Sequence, residues 1–93
     1  MKTIKIDEAH LLAKEIARKI VSQELSEHMG AMKIWKEIID CIGPKCPDSL
    51  WAFKSNASAI EDILWNAENG GEKHDNLIRE CKQEIMQAAK KLL

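Results

Sequence analysis

Between Met29 and Trp51 the chain reads MGAMKIWKEIIDCIGPKCPDSLW, and this stretch limits the available folds more than any other. Met32, Trp35, Ile38, Ile39 and Ile42 recur at steps of three, three, one and three, which at 3.6 residues per turn is a single apolar stripe. Such a stripe has to be buried against another element. Gly43 is placed to stop the helix and Pro44 to prevent its restart, while Asp48 and Ser49, after Pro47, prepare the next one. The stretch therefore prescribes a corner with apolar segments on both sides.

The rest of the chain supplies helices to pack around that corner. From Asp7, an expected N-cap, the positions Ala9, Leu12, Ala13, Ile16, Ala17, Ile20 and Val21 keep helical periodicity. The stripe loses phase at Ser22, and Gly30 costs about 1 kcal/mol inside a helix, so a joint is expected between Ser22 and Gly30, with a second helix starting near Ser26. That helix is expected to run to about Ile42. After Pro47 a short helix should carry Leu50, Trp51 and Phe53 until Ser55-Asn56-Ala57-Ser58 interrupts it; Ser58 and Glu61 then have the spacing of a capping box for a further helix ended by Gly70-Gly71. Asp75 caps a last helix through Ile78, Cys81, Ile85 and Leu92, with Lys90 and Lys91 suiting the dipole in its final turn.

The expected fold is all-α, a compact bundle of four to five short helices in one domain spanning residues 1–93. Residues 1–6 read as an extended N-terminal arm, since Ile4 and Ile6 alternate with polar neighbours. With 93 residues there is material for one core and not two. An apolar fraction of 45% against 31% charged places the chain among globular sequences rather than disordered ones.

Fourteen basic and fifteen acidic side chains leave a formal charge of -1, so no global field exists to hold a polyanion. No window approaches the roughly 20 apolar residues of a membrane span, and no signal-peptide run is evident, which together read as a cytoplasmic chain without a membrane partner. Three cysteines in such a chain favour free thiols over a disulfide framework.

No motif names a chemistry. Asp7-Glu8-Ala9-His10 spells the acidic box of a helicase class, but that box holds Mg²⁺ against phosphates in a Gly-rich loop that this chain lacks. Cys41, Cys46, His74 and Cys81 are zinc-ligand types without the paired close spacing of a zinc knuckle. His10, His28 and His74 have no local nucleophile or orienting carboxylate at triad spacing. No catalytic residue, cofactor or metal is expected. A helix-turn-helix scan of Asp48 to Glu68 would present Glu61, Asp62 and Glu68 to phosphates, which is the wrong sign.

What remains is binding. The expected function is a small protein–protein interaction module that engages a larger protein or complex, and chains of this size and class include many regulators and phage-type inhibitors of host machines. The expected contact residues are Lys45, Trp51, Phe53 and Lys54 at the corner, where two prolines reduce the ordering entropy of binding. Trp51 and Phe53 either offer aromatic area there or turn inward to close the bundle. The alternative is a small nucleic-acid-binding regulator using a basic face of Lys14, Arg18 and Lys19 on the first helix.

Overall fold

A computed structural model of the chain describes residues 5–42, 47–71 and 74–93. Among them are four α-helices, α1 (Ile6–Val21), α2 (Glu27–Glu37), α3 (Asp48–Glu68) and α4 (Asp75–Leu92), with a 3₁₀ turn at Ile39–Cys41 and no strand. The expected all-α bundle is what forms. Ile6 belongs to α1 rather than to an extended arm, and residues 1–4 lie outside the described ones. Among the described residues no helix is long and apolar enough to cross a membrane.

One hydrophobic cluster draws on all four helices. From α1 it takes Ala9, Ala13, Ala17 and Ile20, all fully buried, at steps of four, four and three. Three alanines add almost no side-chain bulk, so the backbone of α1 can lie close to α2 and α4, its two main neighbours. Asp7 sits in the first turn, where its charge suits the dipole, and the cap position falls to Lys5, whose carbonyl accepts from the Ala9 amide. The chain leaves α1 at Ser22, passes through Gln23 at a φ of 66°, and enters α2 at Ser26. Ser26 is a true N-cap, its Oγ accepting from the Met29 amide at 3.2 Å. The expected joint is therefore where it was placed.

Two expectations fail inside the bundle. The buried face of α2 is Gly30, Ala31 and Ile34, followed by Ile38 and Ile39, while Met32, Trp35 and Ile42 are only partly covered. The helix also ends at Glu37 instead of near Ile42, with Ile38 at φ -118° and a 3₁₀ turn after it. The small residues Gly30 and Ala31 let α2 approach its neighbours, and the change of winding at Ile38 turns two consecutive isoleucines inward.

The second failure is in α3. Ser55 to Ser58 does not interrupt it, and no capping box forms at Ser58; the helix runs unbroken for 21 residues. Leu50, Phe53, Ala57, Ile60 and Leu64 recur at three, four, three and four, carrying one buried stripe straight through the polar cluster. Asn56 is kept in the helix because its Nδ2 donates to the Ala52 carbonyl at 2.8 Å instead of competing for a turn. With one uninterrupted helix there is no helix-turn-helix. Asp48 and Ser49 lie in its first turn after Pro47.

The helix ends through Gly70 at φ 93°, with the Gly71 amide donating to the Asn66 carbonyl at 2.6 Å. α4 follows from Asp75 to Leu92 and buries Ile85, Ala89 and Leu92; its cap position is His74 rather than Asp75, which lies in the first turn where its charge suits the dipole. A short link between two long packed helices makes α3 and α4 antiparallel neighbours. The Nε2 of His28 lies 2.9 Å from Glu61 Oε1, tying the start of α2 to the second half of α3, so this pair is antiparallel as well.

Candidate functional site

The continuity of α3 decides where the tryptophans go. Trp51 and Trp65 are fourteen residues apart, which at 100° per residue returns them to within about 40° of the same side of the helix. Trp51, Lys54, Ser58, Glu61 and Trp65 form a second stripe at steps of three, four, three and four, each one position after a residue of the buried stripe and so about 100° round the helix from it. Trp51 is 51% exposed and Trp65 is 62% exposed. The Lys54 ammonium lies 5.3 Å from the Trp51 ring centroid, a cation–π distance that steadies both side chains. Further along, Glu61 is held by His28. Beside this face on α2, half-buried Trp35 carries Lys36 at 3.9 Å from its centroid.

The expected contact residues are thus divided. Trp51 and Lys54 stand on this stripe, Trp51 exposed and Lys54 half-buried. Phe53 is fully buried and cannot meet a partner, a correction that follows from its position about 200° around the helix from Trp51. Lys45 and the corner itself, Gly43 to Cys46, lie outside the described residues. Trp65 joins the site because the helix is not broken. The signal that would have found it is its spacing from Trp51.

Lys14, Arg18 and Lys19 are exposed on α1, on a different element. They do not make one basic face. Lys14 and Arg18 share a side, Lys19 lies about 100° further round, and exposed Glu15 projects between Arg18 and Lys19. Lys19 instead lines a small groove of about 290 Å³ between α1 and α2, with Leu12, Glu15 and the Lys33–Glu37 pair at 3.9 Å.

Two further arrangements carry chemistry-bearing groups. His10 Nδ1 lies 3.1 Å from the Ile6 carbonyl, which can only accept, so Nδ1 carries the proton and Nε2 accepts from Ser49 Oγ at 3.0 Å. The fold brings this serine and histidine together across 39 positions, a pairing that no local spacing reveals. Its orienting group is a main-chain carbonyl rather than a carboxylate, and both side chains meet solvent, so it serves as a tether between the starts of α1 and α3. Cys41 and Cys81 are half-buried free thiols, and among the described residues no three of His, Cys, Asp and Glu converge as metal ligands. Burial pushes the Cys81 thiol above its ordinary pKa, with the charges of Glu84 and then Glu80 adding to the effect.

A groove of about 900 Å³ separates α3 from α4, between Asp48, Ser49, Ala52 and Asn56 on one wall and Glu80, Glu84, Gln87 and Lys91 on the other.

Comparison with protein-family models, with curated proteins and with solved structures returns no match, so the site stands on its own geometry.

Proposed function

We propose that this protein is a protein–protein interaction module whose principal contact surface is the flank of α3 from Trp51 to Trp65. The carrying observation is that two tryptophans, each more than half exposed, share one stripe of an unbroken helix. Tryptophan truncations at interfaces cost about 2 kcal/mol or more where the ring fills a partner pocket, and few other side chains match that. The stripe spans about 21 Å at 1.5 Å per residue, which suits one side of a standard interface of about 800 Å². Because the helix is already ordered, association need not fix its backbone.

A role as regulator or phage-type inhibitor of a larger host protein is the form we attach to this reading, on size and class. Lys54, beside Trp51, acts as a rim charge that influences encounter rather than the final contact. The nucleic-acid alternative rests on Lys14, Arg18 and Lys19, and it requires affinity that falls steeply with added salt.

Affinity capture from host lysate tests the two together, using the tagged wild type, a Trp51→Ala/Trp65→Ala variant and a Lys14→Ala/Arg18→Ala/Lys19→Ala variant. A protein partner lost with the first variant and kept with the second supports the α3 face. Retention of that partner by the tryptophan variant removes the face as the contact surface. Recovery of nucleic acid alone, lost with the lysine and arginine changes, moves the function to α1.

A further inference from the structure

Among the described residues Asn56 is the one buried polar side chain, at 7% exposure, and it lines the α3–α4 groove. Its orientation is fixed by chemistry, since the Ala52 carbonyl can only accept and therefore takes Nδ2. Oδ1 then points elsewhere and has no partner among the described residues. Among the described residues no fully enclosed side-chain oxygen or nitrogen lacks a partner, so Oδ1 must open to space, and the groove is the space that Asn56 borders. A nearly buried residue thus presents a lone acceptor to the groove.

The wall opposite adds more acceptors of the same kind. Because α3 and α4 are antiparallel, Glu84 stands at about the level of Asn56 and Glu80 one turn beyond, while Lys91 shares the far end with Asp48. On α4 Glu84 and Lys91 are seven residues apart, about 10 Å along the axis. Neither Glu80 nor Glu84 has an ion pair among the described residues. An amide oxygen and two unpaired carboxylates facing one groove are complementary to a group that has only donors, and anionic ligands are repelled.

We propose that the α3–α4 groove seats an arginine-bearing segment of a partner protein, with Asn56 Oδ1, Glu80 and Glu84 accepting from one guanidinium. This rests on the reading that the protein binds another protein, and it adds a second, chemically specific contact. Arginine is favoured over lysine because its planar fork offers five donors to acceptors on two walls at once. At about 900 Å³ the groove is large enough for a peptide segment around that side chain, rather than an isolated cation. Asn56 lies about 140° around α3 from Trp51, so a partner occupying the groove does not compete for the tryptophan face.

The test is an amide-resolved NMR titration of the full chain, at low salt, with a blocked alanine-based helical peptide of about twelve residues, three turns, bearing arginines at i,i+4 spacing. Matched peptides carry lysine or glutamine in their place. The expected result is shifts confined to the Asn56 side-chain amide and the backbone of Glu80, Glu84 and Gln87. A Glu80→Gln/Glu84→Gln variant, both positions being exposed, should bind at least about tenfold more weakly, a loss of about 1.4 kcal/mol. The lysine peptide should bind more weakly than the arginine peptide and the glutamine peptide not at all. No shifts up to millimolar peptide, shifts centred on another surface, or equal binding by the glutamine variant would each overturn the assignment. Trp51→Ala/Trp65→Ala should leave the titration unchanged, so failure here condemns the groove alone and failure of the capture experiment condemns the α3 face.

Discussion

Replacing Gly30 by alanine sets helix propensity directly against packing. Gly30 lies inside α2 and is buried, so propensity alone says that Gly30→Ala should stabilise by about 1 kcal/mol. The packing says otherwise. A Cβ built there would come within 2.5 Å of Ile20 Cδ1 and closer still to Ile20 Cγ1, against an ordinary carbon–carbon contact of about 3.5–4.0 Å. Ile20 cannot simply swing away, because it is fully buried and its β-branched side chain has essentially one χ1 rotamer in a helix. Overpacking of this kind costs about 1–3 kcal/mol, so the net expectation is a destabilisation of about 1 kcal/mol.

The sign should reverse once the obstacle is removed. Ile20→Ala alone should cost about 2–5 kcal/mol, and in that background Gly30→Ala meets a cavity and recovers its propensity gain of about 1 kcal/mol. The double-mutant cycle should therefore show a coupling of about 2 kcal/mol between the two positions. Urea unfolding followed by far-ultraviolet circular dichroism reads it: with a slope of about 1 kcal/mol/M, Gly30→Ala should lower the midpoint by about 1 M. A Gly30→Ala protein more stable than wild type, or effects that simply add, would refute the close approach of α1 and α2 at this point.

Ala13→Leu, in the middle of the fully buried alanine row of α1, should cost at least about 1–3 kcal/mol by forcing α1 off α2 and α4, whereas Lys14→Leu, one position on and exposed, should stay within about 0.5 kcal/mol in the same urea assay. The proton of Cys81 is held more tightly in the fold than in the open chain, so its contribution to stability is complete below the free thiol's pKa and is lost as the pH rises through the folded one. In a Cys41→Ser/Cys46→Ser protein, alkylation of Cys81 at mildly alkaline pH should accordingly be slower folded than in denaturant, and Glu80→Gln/Glu84→Gln should speed the folded reaction; equal rates in all three would show that the thiol does not feel those carboxylates.

Much of the architecture was legible in the chain. The α1 stripe from Ala9 to Ile20, the helix start near Ser26, the glycine stop at Gly70 and the long repeat from Ile78 to Leu92 are local signals, each tied to a backbone conformation or a helical period, and each appears in the fold. The site was less legible. Ser55-Asn56-Ala57-Ser58 is a poor helix-forming run, so the chain reads as broken there, and with the break goes the relation between Trp51 and Trp65.

The sequence by itself determined that this protein is all-α and where most helices begin and end, because caps, glycines and 3.6-residue periodicity act within a turn or two. Tertiary structure decided which face of each helix is buried. A polar interruption costs tenths of a kcal/mol per residue in propensity, while burying Phe53, Ala57 and Ile60 on one stripe returns several, so α3 stays whole. By the same balance α2 turns Gly30, Ala31 and Ile34 inward, with Gly30 against Ile20, and leaves Met32 and Trp35 at its flank. Phe53 goes in and Trp51 stays out because one helix register cannot bury both, and that choice, invisible in either residue alone, sets the face that α3 presents.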